Sequence, residues 1–215
     1  MDRAKQILLQ NFADEIADEV DLTPSIYRAF SKIDRELFVP QGFRRWAYRL
    51  DALPMGANQW ISSPVTVAKM TAYLEPDGAD NVLEIGCGSG YQAAILSAVL
   101  RRVFTIERIE PLLNEAKERF KRLNIVNIHT RLDDGRRGWR EFAPYDRILF
   151  SASTPEVPEE IFNQLAEGGI LVAPIEEGGK QVITQFTKIG GSIEKTKKDS
   201  CLFVPIKKGI EQKSG

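Results

Sequence analysis

The sequence predicts an α/β protein with a mostly parallel, doubly wound sheet, a helical extension before it and an antiparallel hairpin after it. Two observations predict this class. From residue 81 onward, short β-rich runs alternate with helical runs, as in parallel strands joined by crossover helices. From residue 181 the helical pattern stops, and two β-rich runs flank the Gly190-Gly191 turn.

Length and composition fit one globular domain. The chain has 215 residues, of which 43% are hydrophobic and 27% charged. We therefore expect a single domain over residues 1–215, with helices and a long loop in residues 1–75 and the sheet with its hairpin in residues 76–215. The net charge of -1 provides no basic field for a phosphate backbone, so nucleic acid is not an expected partner.

The sequence also predicts a cytoplasmic protein. Its N-terminus lacks the apolar centre of a signal peptide, and its apolar stretches are shorter than the ~20 residues that a membrane-spanning helix needs. Cys87 and Cys201 are the only cysteines and have no metal-ligand spacing. We expect neither a membrane nor a metal partner.

Three helices are predicted before the sheet, because apolar residues recur there every three to four positions. They cover Met1–Asp18, Thr23–Ser31 and Pro64–Leu74, and the first would bury Ile7, Leu8, Phe12 and Ile16. Between them, the irregular stretch Val39–Ser63 is long enough to suggest a functional loop. Ser63 and Pro64 are a helix N-cap and first helical residue, so Ser62 lies just outside a helix N-terminus.

The predicted elements of the sheet follow from β-rich runs bounded by glycine and polar residues. The strands are Asn81–Ile85, Arg102–Glu107, Ile125–His129, Asp146–Ser151, Ile170–Pro174, Gln181–Lys188 and Cys201–Ile206. The helices between them are Tyr91–Leu100, Pro111–Leu123 and Glu159–Ala166, the last ended by Gly168-Gly169.

A glycine-rich turn follows the first strand in Val82–Gly90. Open α/β sheets bind cofactors at the carboxyl ends of their strands, where glycine lets the backbone approach a ligand closely. Tyr91 stands where a dinucleotide fingerprint needs its third glycine, which disfavours NAD. Glu107 ends the second strand, where a carboxylate can accept hydrogen bonds from ribose hydroxyls in several cofactor classes.

The alternating glycines, preceded by an acid at Glu84, resemble the first motif of class I S-adenosylmethionine-dependent methyltransferases, which have a Rossmann-like fold. This resemblance implies that Glu84 lies beside the cationic amino group of the cofactor. It implies that Glu107 holds the ribose and that Asp134 contacts adenine. The cofactor, S-adenosyl-L-methionine with S-adenosyl-L-homocysteine as its product, is expected to contact Ile61, Glu84, Gly86, Gly88, Ser89, Gly90, Glu107, Arg108, Asp134 and Gly135.

A closer resemblance, from about Leu22 to Ile206, is to the protein-L-isoaspartate O-methyltransferase family. Five segments carry it in order: Arg35–Pro40 with Ala47-Tyr48; Gln59–Pro64; Val82–Ala94; Asp134-Gly135 with Gly138-Trp139 and Pro144–Asp146; and Phe203–Pro205. The resemblance implies methyl transfer to the α-carboxylate of L-isoaspartyl residues in damaged proteins and peptides. The ester then closes to a succinimide, which hydrolyses partly to normal aspartate. We expect a monomer.

The resemblance also assigns the substrate site. Ser62 matches the family's active-site serine, and Gln59, Trp60 and Ser62 are expected to line the substrate pocket. The acceptor carboxylate is already ionised at neutral pH, so no base is required. His129, the only histidine, falls outside the motifs and is interpreted as structural.

Trp60 departs from the family pattern, which usually has threonine beside the active-site serine. Its indole either covers the substrate pocket as an apolar lid, which we favour, or blocks it. Two alternatives stay open: a class I methyltransferase with another acceptor, and a cofactor-binding homologue that has lost isoaspartyl activity. Ser151–Pro155 lacks the Asn-Pro-Pro-Tyr-type motif of enzymes that methylate nucleic-acid amino groups.

Overall fold

The structure is a computed structural model that describes residues 2–211. Its helices are α1 (Arg3–Ala17), α2 (Pro24–Phe30), α3 (Pro64–Leu74), α4 (Tyr91–Ser97), α5 (Glu110–Arg122) and α6 (Glu159–Phe162). Its strands are β1 (Leu53–Met55), β2 (Gln59–Ile61), β3 (Asn81–Ile85), β4 (Arg102–Glu107), β5 (Ile128–Leu132), β6 (Tyr145–Phe150), β7 (Leu165–Glu177), β8 (Lys180–Ile189) and β9 (Ser192–Cys201). Short 3₁₀ turns cover Arg35–Phe38, Gln41–Trp46, Gly135–Arg137 and Arg140–Phe142.

Seven strands form one sheet in the order β5-β4-β3-β6-β7-β8-β9. The pairs from β5 through β7 are parallel, and β8 and β9 add antiparallel neighbours. The strand order reverses direction at β3, which has β4 on one side and β6 on the other. In such sheets the ligand crevice opens at the carboxyl ends of the strands beside this reversal. The predicted fold class is confirmed.

The sheet is covered on both faces. One core joins α1–α5 to side chains such as Val82 and Val103, and the other packs α6 and Trp139 against Leu83 and Phe104. Alternation along each strand sends successive residues to opposite faces, as the pleat requires. None of the helices within residues 2–211 is both long and apolar enough to span a membrane.

The N-terminal helix is confirmed over Arg3–Ala17, with Asp2 as its N-cap; Met1 lies outside the described residues. Its buried face differs from the prediction. Leu9, Phe12, Ala13 and Ile16 are buried, whereas Ile7 and Leu8 are exposed. The spacing 9-12-13-16 follows one helical face better than 7-8-12-16 does, because positions 7 and 8 diverge from it.

Several predicted element boundaries were wrong. Helix α4 ends at Ser97 rather than Leu100, and β7 runs over Leu165–Glu177 rather than Ile170–Pro174, so Gly168-Gly169 lies inside this strand and does not end the preceding helix. The third strand of the parallel half runs over Ile128–Leu132, later than predicted, because Asn127 is held in the preceding turn by bonds from its Nδ2 to the carbonyls of Ser97 and Leu100. The helix expected over residues 159–166 ends at Phe162. Gln164 draws the chain into the sheet, since its carbonyl accepts from the Tyr145 N–H at 2.8 Å.

The C-terminal hairpin was also misplaced. Gly178-Gly179 and Gly190-Gly191 each form a two-residue turn with positive φ at both positions, the geometry that joins adjacent antiparallel strands directly. The second turn therefore leads at once into β9 at Ser192, and the predicted strand Cys201–Ile206 leaves the sheet after Cys201. The lysine-rich sequence of β9 concealed it, although such sequences are common on exposed edge strands.

The long loop before α3 is ordered around a small hairpin. Strands β1 and β2 pair around Gly56–Asn58, with positive φ at Ala57 and Asn58. Ser63 caps α3 as predicted, its hydroxyl oxygen accepting from the Thr66 N–H at 3.0 Å. Ser62 is thereby fixed between the end of β2 and the start of a helix.

Candidate functional site

A cavity opens at the carboxyl ends of β3, β4 and β6, where the reversal of strand order predicts it. It joins the glycine turn to the segment before α3. Eleven of the twelve sequence-predicted positions other than Asp134 line it: Gln59, Trp60, Ile61, Ser62, Glu84, Gly86, Gly88, Ser89, Glu107, Arg108 and Gly135. The twelfth, Gly90, lies off its wall, as does Asp134.

The glycines of this turn have two different roles, ligand access on the cavity side and packing against helix α5. Gly86 and Gly88 have φ of 101° and 52°, and a side chain added at Gly88 would meet nothing within 4 Å. Backbone at Gly88 is therefore open to a ligand. Gly90, with φ of 86°, lies against α5, where an added Cβ would come within 2.7 Å of Phe120. Glycine is required at position 90 because a larger residue would collide with helix α5.

Glu84 is fully buried near the end of β3. The parallel pairing places it beside Thr105 of β4, whose hydroxyl donates to its carboxylate at 2.5 Å, and Ser151 donates at 3.1 Å. Burial raises the pKa of Glu84 to about 8; the two hydroxyls oppose this rise, and the charge of Glu107 adds to it. No cation pairs with Glu84 among residues 2–211, so this carboxylate fits a ligand's ammonium group.

Glu107 is buried and bonded to the backbone of two loops. One carboxylate oxygen accepts from the Gly88 N–H at 2.8 Å, and the other accepts from Arg108 at 2.8 Å and Ile109 at 2.9 Å. Glu107 thus fixes the glycine turn while its side chain lines the cavity. Four lone-pair directions leave capacity for a ribose hydroxyl beyond these three bonds.

Asp134 makes its bonds within the protein. It forms a 2.7 Å ion pair with Arg136 and accepts from the Gly209 N–H at 2.8 Å. The hydrogen bond from Arg136 is the largest cause of its strongly lowered pKa. Arg108 also reaches this segment, because its Nε donates to the Gly209 carbonyl at 2.8 Å. Asp134 therefore supports the rim beside Gly135 rather than lining the cavity.

The substrate segment forms the opposite wall. Ile61 is buried, Ser62 is partly buried, and Trp60 is 56% exposed at the rim. The indole thus borders the cavity while more than half of its surface faces solvent. The Ser62 carbonyl accepts a hydrogen bond from the completely buried Arg35 at 3.0 Å. The sequence motif included Arg35 without indicating this contact.

The cavity has further walls that sequence reasoning did not assign. Ser151, which directly follows β6, lines the cavity and donates to Glu84. Thr105 of β4 is the other partner of Glu84, and strand order together with pairing was needed to find both. The segment after β9 closes the cavity with Phe203, Val204, Pro205, Ile206 and Lys207. Its backbone is tied to the loop that follows β6, since the Ser153 N–H donates to the Val204 carbonyl at 2.9 Å.

His129 lies away from the cavity. Its ring stacks on Phe104 with 5.0 Å between centroids, in agreement with a structural role. Within residues 2–211, no group of three or more histidine, cysteine or acidic side chains could hold a metal ion.

Comparison with known proteins identifies the family. Residues 5–211 match the family described as protein-L-isoaspartate(D-aspartate) O-methyltransferase. The chain belongs to this family. A protein-L-isoaspartate O-methyltransferase of Helicobacter pylori (strain J99) is 53% identical over 199 residues, covering 92% of this chain and 95% of the relative. One of Maricaulis maris is 46% identical over 181 residues, covering 84% and 85%.

Solved structures agree with this family. A protein-L-isoaspartate O-methyltransferase superposes with a TM-score of 0.85 at 29% identity, over 94% of this chain and 67% of that one. A chain of Plasmodium falciparum, solved in complex with S-adenosyl-L-homocysteine, has a TM-score of 0.81 at 24% identity, over 93% and 98%. The second likeness shows the shared fold. The family expected from the sequence motifs is confirmed.

Proposed function

We propose that this methyltransferase repairs damaged proteins by methylating the α-carboxylate of L-isoaspartyl residues. S-adenosyl-L-methionine supplies an electrophilic methyl group on a sulfonium, with S-adenosyl-L-homocysteine as product. The ester closes to a succinimide, which hydrolyses partly to aspartate. Family membership carries the proposal, supported by one cavity that joins the glycine turn to Ser62.

Each wall of the cavity has a proposed role. Glu84 receives the ammonium group of the cofactor, and Glu107 and Arg108 border its ribose. The main chain of the glycine turn, at Gly86, Gly88 and Ser89, lies against the cofactor. Ile61 and Gly135 border the rest of the cofactor. Asp134 and Gly90 hold this arrangement from outside the wall.

Ser62 is the proposed catalytic residue. Its hydroxyl donates to the acceptor carboxylate and aligns one oxygen with the methyl carbon, which is the main requirement because the acceptor is already ionised. No general base is invoked, and the histidine lies elsewhere. Trp60 covers part of the opening and reduces the hydration of the acceptor, while Gln59 borders the same pocket.

Two alternatives make different predictions. A methyltransferase with another acceptor would transfer no methyl group to isoaspartyl peptides, and a homologue that has lost catalysis would bind cofactor without turnover. The partial exposure of Trp60 favours an active site that remains open. We also propose that the protein acts as a cytoplasmic monomer, without a nucleic-acid or membrane partner; its two cysteines are free.

The test is methyl transfer to a paired set of peptides. One peptide contains L-isoaspartate and its control contains L-aspartate at the same position. Transfer of labelled methyl from S-adenosyl-L-methionine to the isoaspartyl peptide alone is the expected result. Turnover on neither peptide, with intact S-adenosyl-L-homocysteine binding by calorimetry, would contradict the proposed function.

A further inference from the structure

Arg35 holds both ends of the β1–β2 hairpin from a completely buried position. Its Nη1 donates to the carbonyls of Ala47 at 2.7 Å and Arg49 at 3.3 Å. Its Nη2 donates to the carbonyls of Asp51 and Ser62, each at 3.0 Å. Asp51 lies just before β1 and Ser62 just after β2, so one nitrogen bridges the two ends of the hairpin.

The turn that carries Arg35 is itself fixed to the N-terminal helix. Lys5 of α1 forms ion pairs with Asp34 at 2.8 Å and Glu36 at 2.7 Å, the two neighbours of Arg35. The guanidinium also lies over the ring of Tyr91, 5.9 Å from its centroid. Because Tyr91 directly follows the glycine turn and lines the cavity, Arg35 contacts both the cofactor wall and the substrate wall.

These contacts require a guanidinium. All four acceptors are main-chain carbonyls in different directions, and within residues 2–211 no carboxylate bonds to Arg35. Lysine carries only three donors on one nitrogen and cannot reproduce this planar fork. Burying an unpaired charge is a poor means of stabilising a core, where apolar residues of similar volume often do as well. The arrangement instead gives a fixed geometry around Ser62.

We propose that Arg35 is a positioning residue for methyl transfer, which holds Ser62 and the hairpin at a fixed distance from the glycine turn. This inference rests on the proposed function. Loosening the hairpin lets the acceptor carboxylate depart from the line of transfer. A misplacement of about 1 Å costs on the order of 100-fold in rate.

The experiment compares Arg35→Lys with Arg147→Lys. Arg147 is a matched control, because its guanidinium also bonds to main-chain carbonyls, those of Glu75 at 2.9 Å and Asp146 at 2.8 Å, but lies outside the cavity wall. For each variant, kcat and KM for an isoaspartyl peptide, the Kd for S-adenosyl-L-homocysteine and backbone hydrogen exchange are measured. Wild-type turnover on the peptide tests the proposed function separately.

For Arg35→Lys we expect kcat to fall on the order of 100-fold, with the cofactor Kd changed less than about twofold. Hydrogen exchange should accelerate in residues 53–61 and stay unchanged in β4. Arg147→Lys should leave kcat and exchange in the hairpin unchanged. Equal losses of kcat in both variants, or a loss in Arg35→Lys that is matched in cofactor Kd, would overturn the proposal.

If Arg35→Lys does not fold, Arg35→Ala is refolded with ethylguanidinium or with ethylammonium. Methyl transfer restored by ethylguanidinium alone supports the positioning role. A folded protein that stays inactive in both overturns it. Failure to fold in either assigns Arg35 to folding alone and also overturns the proposal.

Discussion

Protonation of Glu84 should link cofactor affinity to pH. Burial raises the pKa of this carboxyl to about 8, so Glu84 of the ligand-free protein is mostly protonated at pH 7. In the proposed complex, the cofactor's ammonium group stabilises the carboxylate and lowers this pKa. Binding at pH 6.5 should therefore release about one proton, and affinity should increase up to about tenfold per pH unit between pH 6 and 8.

The increase should end near pH 8. Above this pH Glu84 is already ionised before the ligand binds, so binding no longer releases its proton. Affinity for S-adenosyl-L-homocysteine should therefore level off above about pH 8. The calorimetric test titrates the ligand in phosphate and in Bis-Tris at pH 6.5, because the heat difference between buffers reports the number of protons released.

Glu84→Gln is the control, since the amide keeps the shape of the side chain and cannot ionise. Its binding should release no proton through this group and should lose the rise in affinity between pH 6 and 8. A wild-type protein that releases no proton at pH 6.5, or a Glu84→Gln variant that releases as many, would refute the assignment of Glu84 to the ammonium group.

Linkage also predicts that the ligand-free protein loses stability as pH rises from about 4.5 to about 8. In that window the unfolded chain has an ionised Glu84, whereas the folded protein keeps it protonated and must take up a proton to fold. The free energy of unfolding, measured by urea titration at several pH values, should fall less steeply for Glu84→Gln. An equal slope for both proteins would contradict the linkage.

Four further substitutions test the remaining walls and the packing of the glycine turn against α5. Ser62→Ala should lower kcat by about 10- to 100-fold, the equivalent of one charge-assisted hydrogen bond, while the Kd for S-adenosyl-L-homocysteine stays constant; parallel losses in both would assign Ser62 to loop structure. Trp60→Thr should change the acceptor KM and not the cofactor Kd, whereas new turnover in the variant beside a silent wild type would show that the indole blocks the pocket. Glu107→Ala should weaken cofactor binding and also lower the free energy of unfolding by about 1–3 kcal/mol, because it leaves buried N–H groups without an acceptor; unchanged urea stability would contradict this. Gly90→Ala should destabilise more than Gly78→Ala, whose φ of 82° is similar but whose added Cβ meets nothing within 4 Å; equal melting temperatures would mean that helix packing adds no cost.

The sequence predicted β3, β4 and β6 well because their signals are local. Apolar runs bounded by turn residues fixed β3 and β4, and Ser63-Pro64 fixed the start of α3. The glycine turn and the acids at two strand ends pointed correctly to one edge of the sheet. Gly90 illustrates the limit of this approach, because the residue that it contacts, Phe120, is remote in the sequence and belongs to another helix.

Features that depend on distant contacts were missed for the same reason. The burial of Glu107 results from the close approach of Gly88, and the course of residues 202–207 depends on contacts with residues near β6 rather than on β propensity. Arg35 lies next to two acidic residues in the sequence, which suggests an exposed charged turn. Its burial could not be predicted from the sequence, because it depends on the main-chain carbonyls near the hairpin that the fold places around the guanidinium.

The position of Phe203–Lys207 on the cavity wall has a consequence for synthesis. The ribosome releases the glycine turn and both carboxylates long before this segment, and domains fold as the chain emerges at about 5–20 residues per second. For several seconds of synthesis the nascent chain therefore has the glycine turn and both carboxylates but lacks one side of the cavity. Because a domain folds as a unit, the cavity is complete only when this last wall is present.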